Sequence, residues 1–126
     1  MYLSFCIVTQ GNRIEKTKLS IESIYKNLIG HHNYEIIVIG NNISDFSGEK
    51  IKLVEMFDSS NLIGKKRNLG VKKSKGDIIV HLDDDIVLDI DWFERFREFN
   101  KKNKDWLICS NKILLPSGKR FWDRAI

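Results

Sequence analysis

Apolar residues along the chain gather in short runs set off by polar punctuation. SFCIVT (4–9), EIIVIG (35–40), IKLVEMF (51–57) and DIIVHL (77–82) read as four strands, and DWLICSNKILL (105–115) contains a fifth. Several of these runs are β-branched and lack polar alternation, as expected of strands covered on both faces. Between the first two runs the period changes. Ile21, Ile24, Tyr25 and Leu28 recur at i, i+3, i+4 and i+7, one face of a helix, and Gly30 suits its C-terminal end. After the fourth run, Asp91 and Glu94 have capping-box spacing, and Trp92, Phe93, Phe96 and Phe99 line one face of a second helix. That aromatic spacing suits burial against a sheet better than a base-stacking platform.

Strand–helix–strand alternation predicts an α/β, Rossmann-like fold: a mostly parallel sheet with helices on both faces. Ligands in such sheets bind beyond the carboxyl ends of the strands. TQGNR (9–13) follows the first strand, GNNISD (40–45) the second and Asp83-Asp84-Asp85 the fourth. All three segments are therefore expected on one edge of the sheet.

Composition narrows the class. The 126 residues predict a single domain over 1–126, and 42% hydrophobic with 30% charged residues is ordinary for a soluble globular chain. No run reaches the ~18 apolar residues of a membrane span. The first residues lack the basic stretch of a signal peptide, which makes a cytoplasmic location the default expectation. Cys6 and Cys109 each sit in an apolar run and read as reduced core thiols. Neither has a second ligand at zinc spacing. The net charge of +4 points to an anionic partner. Much of the excess lies in Lys65, Lys66, Arg67, Lys72, Lys73 and Lys75, of which the last three read first as a solvated face.

The three adjacent acids carry the chemistry. Like charges this close repel, and each costs free energy to desolvate, so either water solvates them all or a cation holds them. In an extended strand end, Asp83 and Asp85 share a face, which supplies two hard oxygen ligands for Mg²⁺ or Mn²⁺. A solvated turn capping the next helix accounts for Asp89 and Asp91. It accounts less well for three consecutive acids after a buried strand. His31 and His32 read as solvated loop residues, and His81 as a buried, hydrogen-bonded one, with no second histidine at ligand spacing.

FCIVTQGNR, YEIIVIGNN and NLIGKKRNLGVKKSKGDIIVHLDDDIVLDIDWFERF, in that order, resemble family 2 glycosyltransferases of the GT-A fold over nearly the whole chain. The specific part is KRNLG…KGDIIVHLDDD, with Arg67, Asn68, Gly70, Gly76 and Asp77 at family spacing from the acids. The resemblance implies a nucleotide-diphosphate-sugar donor and a DxD-type motif. Asp83 and Asp84 would lie near the ribose and nucleotide. Asp85 would be the leading metal ligand, with Asp83 as the second. Thr9, Gln10, Asn12 and Arg13 would form the loop against the nucleotide. Arg67 would sit by the diphosphate or base, Asn68 would fix the local backbone, and residues 112–122 would approach the sugar. The implied reaction is transfer to a glycan or glycolipid hydroxyl with inversion, and family analogy adds peripheral association at the inner face of a membrane.

Two departures qualify the resemblance. Where the family has an acidic turn after the second strand, this chain has Gly40, Asn41, Asn42 and Ile43: a carboxylate to grip the base or ribose is missing, Asn41 can still hydrogen-bond through its amide, and Asn41 and Asn42 are expected substrate contacts. The acceptor-binding half, which in the family supplies the catalytic base, is expected to lie beyond these residues, and no base is assigned within them. The competing readings are a non-catalytic nucleotide-binding or interaction module of the same fold and, less well supported, a basic nucleic-acid-binding domain. The latter lacks any interleaving of basic and aromatic residues, so nucleic acid is not an expected partner.

Overall fold

A computed structural model of the chain describes residues 1–56 and 62–106. The elements run β1 (Leu3–Thr9), α1 (Ile14–Asn27), β2 (Tyr34–Gly40), β3 (Ile51–Glu55), α2 (Ile63–Lys73), β4 (Ile78–Asp83) and α3 (Trp92–Lys102). The strands form one sheet in the order β3-β2-β1-β4, and every neighbouring pair is parallel. This is the expected α/β architecture of a parallel sheet flanked by helices. The chain forms two compact units, Met1–Glu94 and Arg95–Ile126. In the second, the rings of Phe96 and Phe99 lie 5.9 and 5.7 Å from that of Trp106. Phe57, Cys109 and most of the expected fifth strand lie outside the described residues.

The central strands are the ones whose sequence runs are most continuously apolar. Every residue of β2 is buried, as is all of β1 except Val8. β3 and β4 flank them and are half-exposed, so burial on both faces holds for the inner strands only. Cys6, Ile37 and Ile39 form a cluster on one face, backed by Val54, Leu69 and Ile79. On the other face Phe5 meets the rings of Tyr34 and Trp92. Each fully buried Phe or Ile of this kind contributes ~1.5–3 kcal/mol. Burial also pushes the Cys6 thiol up to about 11, with a smaller contribution from Glu35.

α2 carries almost no apolar periodicity, and the sequence pattern does not announce it. Its buried positions are Lys66 and Gly70. A Cβ on Gly70 would stand 3.0 Å from Ile39 Cδ1 and 3.3 Å from Cys6 Sγ, so the bare glycine lets the helix settle onto β1 and β2. Because α2 lies over those two strands, β4 is only partly covered. His81 is consequently exposed on β4, not buried as its sequence position suggests. Its imidazole is nonetheless held below its ordinary range, first by partial desolvation and then by the Arg67 guanidinium.

The opposite edge of the sheet is tied by a polar knot. Buried Glu35 accepts hydrogen bonds from Ser4 Oγ and Lys75 N, both at 2.7 Å, and Ser4 Oγ accepts one from Gly76 N at 2.9 Å. Among the described residues no helix is long and apolar enough to cross a membrane.

Candidate functional site

The parallel register decides what meets at the carboxyl edge. Thr9 pairs with Gly40, and Val8 pairs with Asp83. The segments after β1, β2 and β4 therefore emerge side by side. The first two are pinned together. Asn42 Nδ2 donates to Gly11 O at 3.0 Å, and a Cβ on Gly11, which has φ +80°, would stand 2.3 Å from Asn41 O. Only glycine fits that crossing.

The acids sit in a turn. β4 ends at Asp83, and Ile86 N donates back to Asp83 O at 3.3 Å. The extended alternation that would set Asp83 and Asp85 on one face therefore stops at Asp83. Asp84 is buried, and its Oδ2 accepts a 2.9 Å hydrogen bond from Thr9 Oγ1, which itself accepts from Gly11 N at 3.1 Å. Arg13 reaches across from the start of α1. Its Nη1 lies 2.9 Å from Asp85 Oδ2 and 3.6 Å from Asp84 Oδ1. Asp83 faces the other way and takes Arg67 Nη2 at 3.1 Å. Three carboxylates thus stand together because two guanidiniums from two helices divide them. These pairs are partly exposed, so each stabilises the fold only modestly. Their larger effect is to aim the carboxylates.

The turn is held from behind by α1. Ser23 Oγ accepts from Leu88 N at 3.0 Å, Asn27 Nδ2 donates to Asp89 O at 2.8 Å, and Asn27 Oδ1 accepts from Phe93 N at 3.0 Å. An open groove of about 460 Å³ runs along residues 11–16, beside Arg13. Thr9, Arg13, Asp83, Asp84, Asp85 and Arg67 are thus brought together by direct contacts, with Asn42 joined through Gly11. Gln10 and Asn12 are exposed on the same loop, Asn41 is half-buried beside Gly11, and Asn68 is exposed on α2. The stretch 112–122 lies outside the described residues.

In the sequence Lys66 is one of several lysines in a basic stretch. It is 3% exposed, and its Nζ donates to Thr9 O at 3.4 Å. The available signal was Gly70 one helical turn later, which marks the face that packs on the sheet. Thr9 therefore lies between Lys66 on its carbonyl and Asp84 on its hydroxyl.

Comparison with known proteins agrees with this fold. An uncharacterized glycosyltransferase of Rickettsia bellii (strain RML369-C) is 37% identical over 86 residues, which is 63% of this chain and 12% of the relative. The chain thus spans about an eighth of that relative's length. The crystal structure of S. aureus TarS 1-349 in complex with UDP superposes with a TM-score of 0.68 at 14% identity, covering 94% of this chain and 43% of that one. The complex of the same fragment with UDP-GlcNAc gives 0.63 at 17% identity, covering 81% and 32%. At such identities the likeness shows a shared fold. Residues 4–125 match the model of glycosyl transferase family 2, and with the strand order and the acid-tipped β4 already described, the chain belongs to that family.

Proposed function

We propose that this chain is the donor-binding part of a glycosyltransferase that moves a sugar from a nucleotide-diphosphate sugar to an acceptor hydroxyl with inversion. The observation that carries the reading is the convergence of Thr9, Arg13 and the three acids at the carboxyl edge of a family 2 fold. The TarS fragment of the same fold was crystallised with UDP and with UDP-GlcNAc, which supports a nucleotide-linked donor.

A divalent metal fits the donor set. Among the described residues no three His, Cys, Asp or Glu side chains cluster to cage an ion. Mg²⁺, however, typically takes one or two carboxylates and completes its shell with water and phosphate oxygens. Asp85 and Asp83 are the partly exposed hard-oxygen donors, with side chains 38% and 63% exposed. Asp84 is committed to Thr9. Asp85 would be the leading ligand of Mg²⁺ or Mn²⁺, and Arg13 already sets a positive charge against its carboxylate; Asp83, turned toward Arg67, would join it only by leaving that pair. When bound, the metal would act as a Lewis acid toward the charge that builds on the leaving diphosphate.

The chain's own residues bind and orient. Thr9 fixes Asp84 facing the pinned loops, where it would accept from the ribose. Arg13 and Arg67 are placed to offer charge-assisted hydrogen bonds to phosphate oxygens. The acceptor hydroxyl must lose a proton in direct displacement. The resemblance assigns the base for that step to the acceptor-binding half.

Calorimetric titration with UDP and GDP, with and without Mn²⁺, tests the reading. Metal-dependent binding of either supports it. Absence of binding to both, or binding indifferent to Mn²⁺ that falls steeply with salt, contradicts it.

A further inference from the structure

Each carboxylate of the acid turn already has a partner within the chain. Asp84 takes the Thr9 hydroxyl, Asp83 takes Arg67 and Asp85 takes Arg13. Arg13 spans two of them, with Nη1 2.9 Å from Asp85 Oδ2 and 3.6 Å from Asp84 Oδ1. A second cation approaching Asp85 meets that fixed positive charge, and like charges this close repel.

The Arg13 side chain can turn away while its backbone stays in place. Arg13 O accepts from Thr17 N and from Thr17 Oγ1, both at 2.9 Å, which fixes the residue at the start of α1. The side chain makes no capping hydrogen bond, is 49% exposed and borders the open groove along residues 11–16. A surface pair of this kind is weak, so giving it up costs little. Phosphate oxygens are the better partner, because they accept paired hydrogen bonds from the planar guanidinium.

We infer that Arg13 is an internal counter-ion that keeps divalent metal off Asp85 until the diphosphate of a donor draws its guanidinium toward the groove. The inference rests on the donor-binding function and the Asp85 metal role proposed above. Without nucleotide, Arg13 and a metal ion compete for one carboxylate. With nucleotide, Arg13 turns to the phosphate oxygens and leaves Asp85 open. Metal and nucleotide then each raise the affinity for the other by one common factor. Uridine, which has no phosphate, leaves Arg13 on Asp85 and gives no such rise.

The test is calorimetric titration of Mn²⁺ into the wild-type chain, Arg13→Gln and Lys16→Gln, each alone, with uridine and with saturating UDP, corrected for Mn²⁺ held by free UDP. Lys16 borders the same groove, and among the described residues no carboxylate pairs with it, so its variant removes the same charge without releasing an acid. The wild type alone binds Mn²⁺ weakly, UDP tightens that binding by roughly 5- to 150-fold, and uridine leaves it unchanged. Arg13→Gln alone binds Mn²⁺ roughly 10-fold tighter than the wild type, and its gain from UDP shrinks. Lys16→Gln behaves as the wild type in both respects. Thermal melting of free Arg13→Gln stays close to that of the wild type. Equal Mn²⁺ affinity of free wild type and free Arg13→Gln, with UDP binding still dependent on Mn²⁺, overturns the inference and leaves the donor function intact. So does an equal gain in Lys16→Gln, which would make the effect one of overall charge. A large drop in the melting temperature of Arg13→Gln also overturns it, since the pair would then be a structural tie. UDP binding indifferent to Mn²⁺ removes the metal role of Asp85 together with the inference, and failure of the wild type to bind UDP or GDP at all overturns the donor function as well.

Discussion

Thr9 and Asp84 are 75 residues apart in the chain, yet a buried hydrogen bond of 2.9 Å joins the Thr9 hydroxyl to the Asp84 carboxylate. It ties the tip of β1 to the turn beyond β4. Thr9→Val keeps the shape and removes the donor. It leaves one oxygen of a buried carboxylate without its partner, a loss of about 1–3 kcal/mol. Urea denaturation should show that drop, and Thr9→Ser should restore most of it. If Thr9→Val were as stable as the wild type, the bond would not be holding the edge together.

Asp85→Asn should abolish metal-dependent binding of UDP or GDP and leave the fold intact. Asp85 is partly exposed and its pairing with Arg13 is a surface interaction of small net stability, so circular dichroism and the urea midpoint should change little. Calorimetry with Mn²⁺ is the decisive measurement, and retained Mn²⁺ dependence in the mutant would remove Asp85 from the metal site. Arg13→Gln should instead tighten Mn²⁺ binding in the absence of nucleotide, because the competing charge is gone.

Gly76→Ala should destabilise the domain by about 1–3 kcal/mol. The new methyl would stand 2.6 Å from Ser4 Oγ, 2.7 Å from Tyr2 O and 2.8 Å from Ser4 N, two of them backbone atoms that cannot swing aside. It would also push Ser4 off Glu35 and leave a buried carboxylate with one donor fewer. Thermal melting checks this. The same change at Gly64, where a Cβ meets nothing within 4 Å, should be near neutral or slightly stabilising.

His81 gives the fold a pH dependence of known sign. Its folded-state pKa lies below the ordinary value, so the unfolded chain binds the proton more readily. Stability from this group is present above about pH 6.5 and is lost as pH falls from there through the folded-state value. Urea midpoints at pH 7.5 and 5.5 should differ less in His81→Gln than in the wild type. Because partial desolvation is the first cause and Arg67 the second, Arg67→Gln should raise the imidazole pKa seen by NMR titration without restoring it fully.

Much of the fold was legible in the sequence because burial leaves a pattern. β1 and β2 lie at the centre of the sheet, and their apolar runs mark them to within a residue of their ends. α1 follows the i, i+3, i+4 spacing of Ile21, Ile24 and Leu28. α2 escaped because its buried positions are a lysine and a glycine, which carry no hydrophobic period. His81 came out exposed because exposure of an outer strand depends on where a helix from elsewhere in the chain lies.

The sequence by itself determined that a parallel α/β sheet would bring residues 9–13, 40–45 and 83–85 to one edge, since hydrophobic period and the alternation of strand and helix segments are read along the chain. Only the tertiary structure decided how the charges there are shared: Arg13 on Asp84 and Asp85, Arg67 on Asp83, Thr9 between Asp84 and Lys66. Those pairings join residues 16 to 75 positions apart. They follow from strand register and helix placement, so the spacing of residues in the chain does not reveal them.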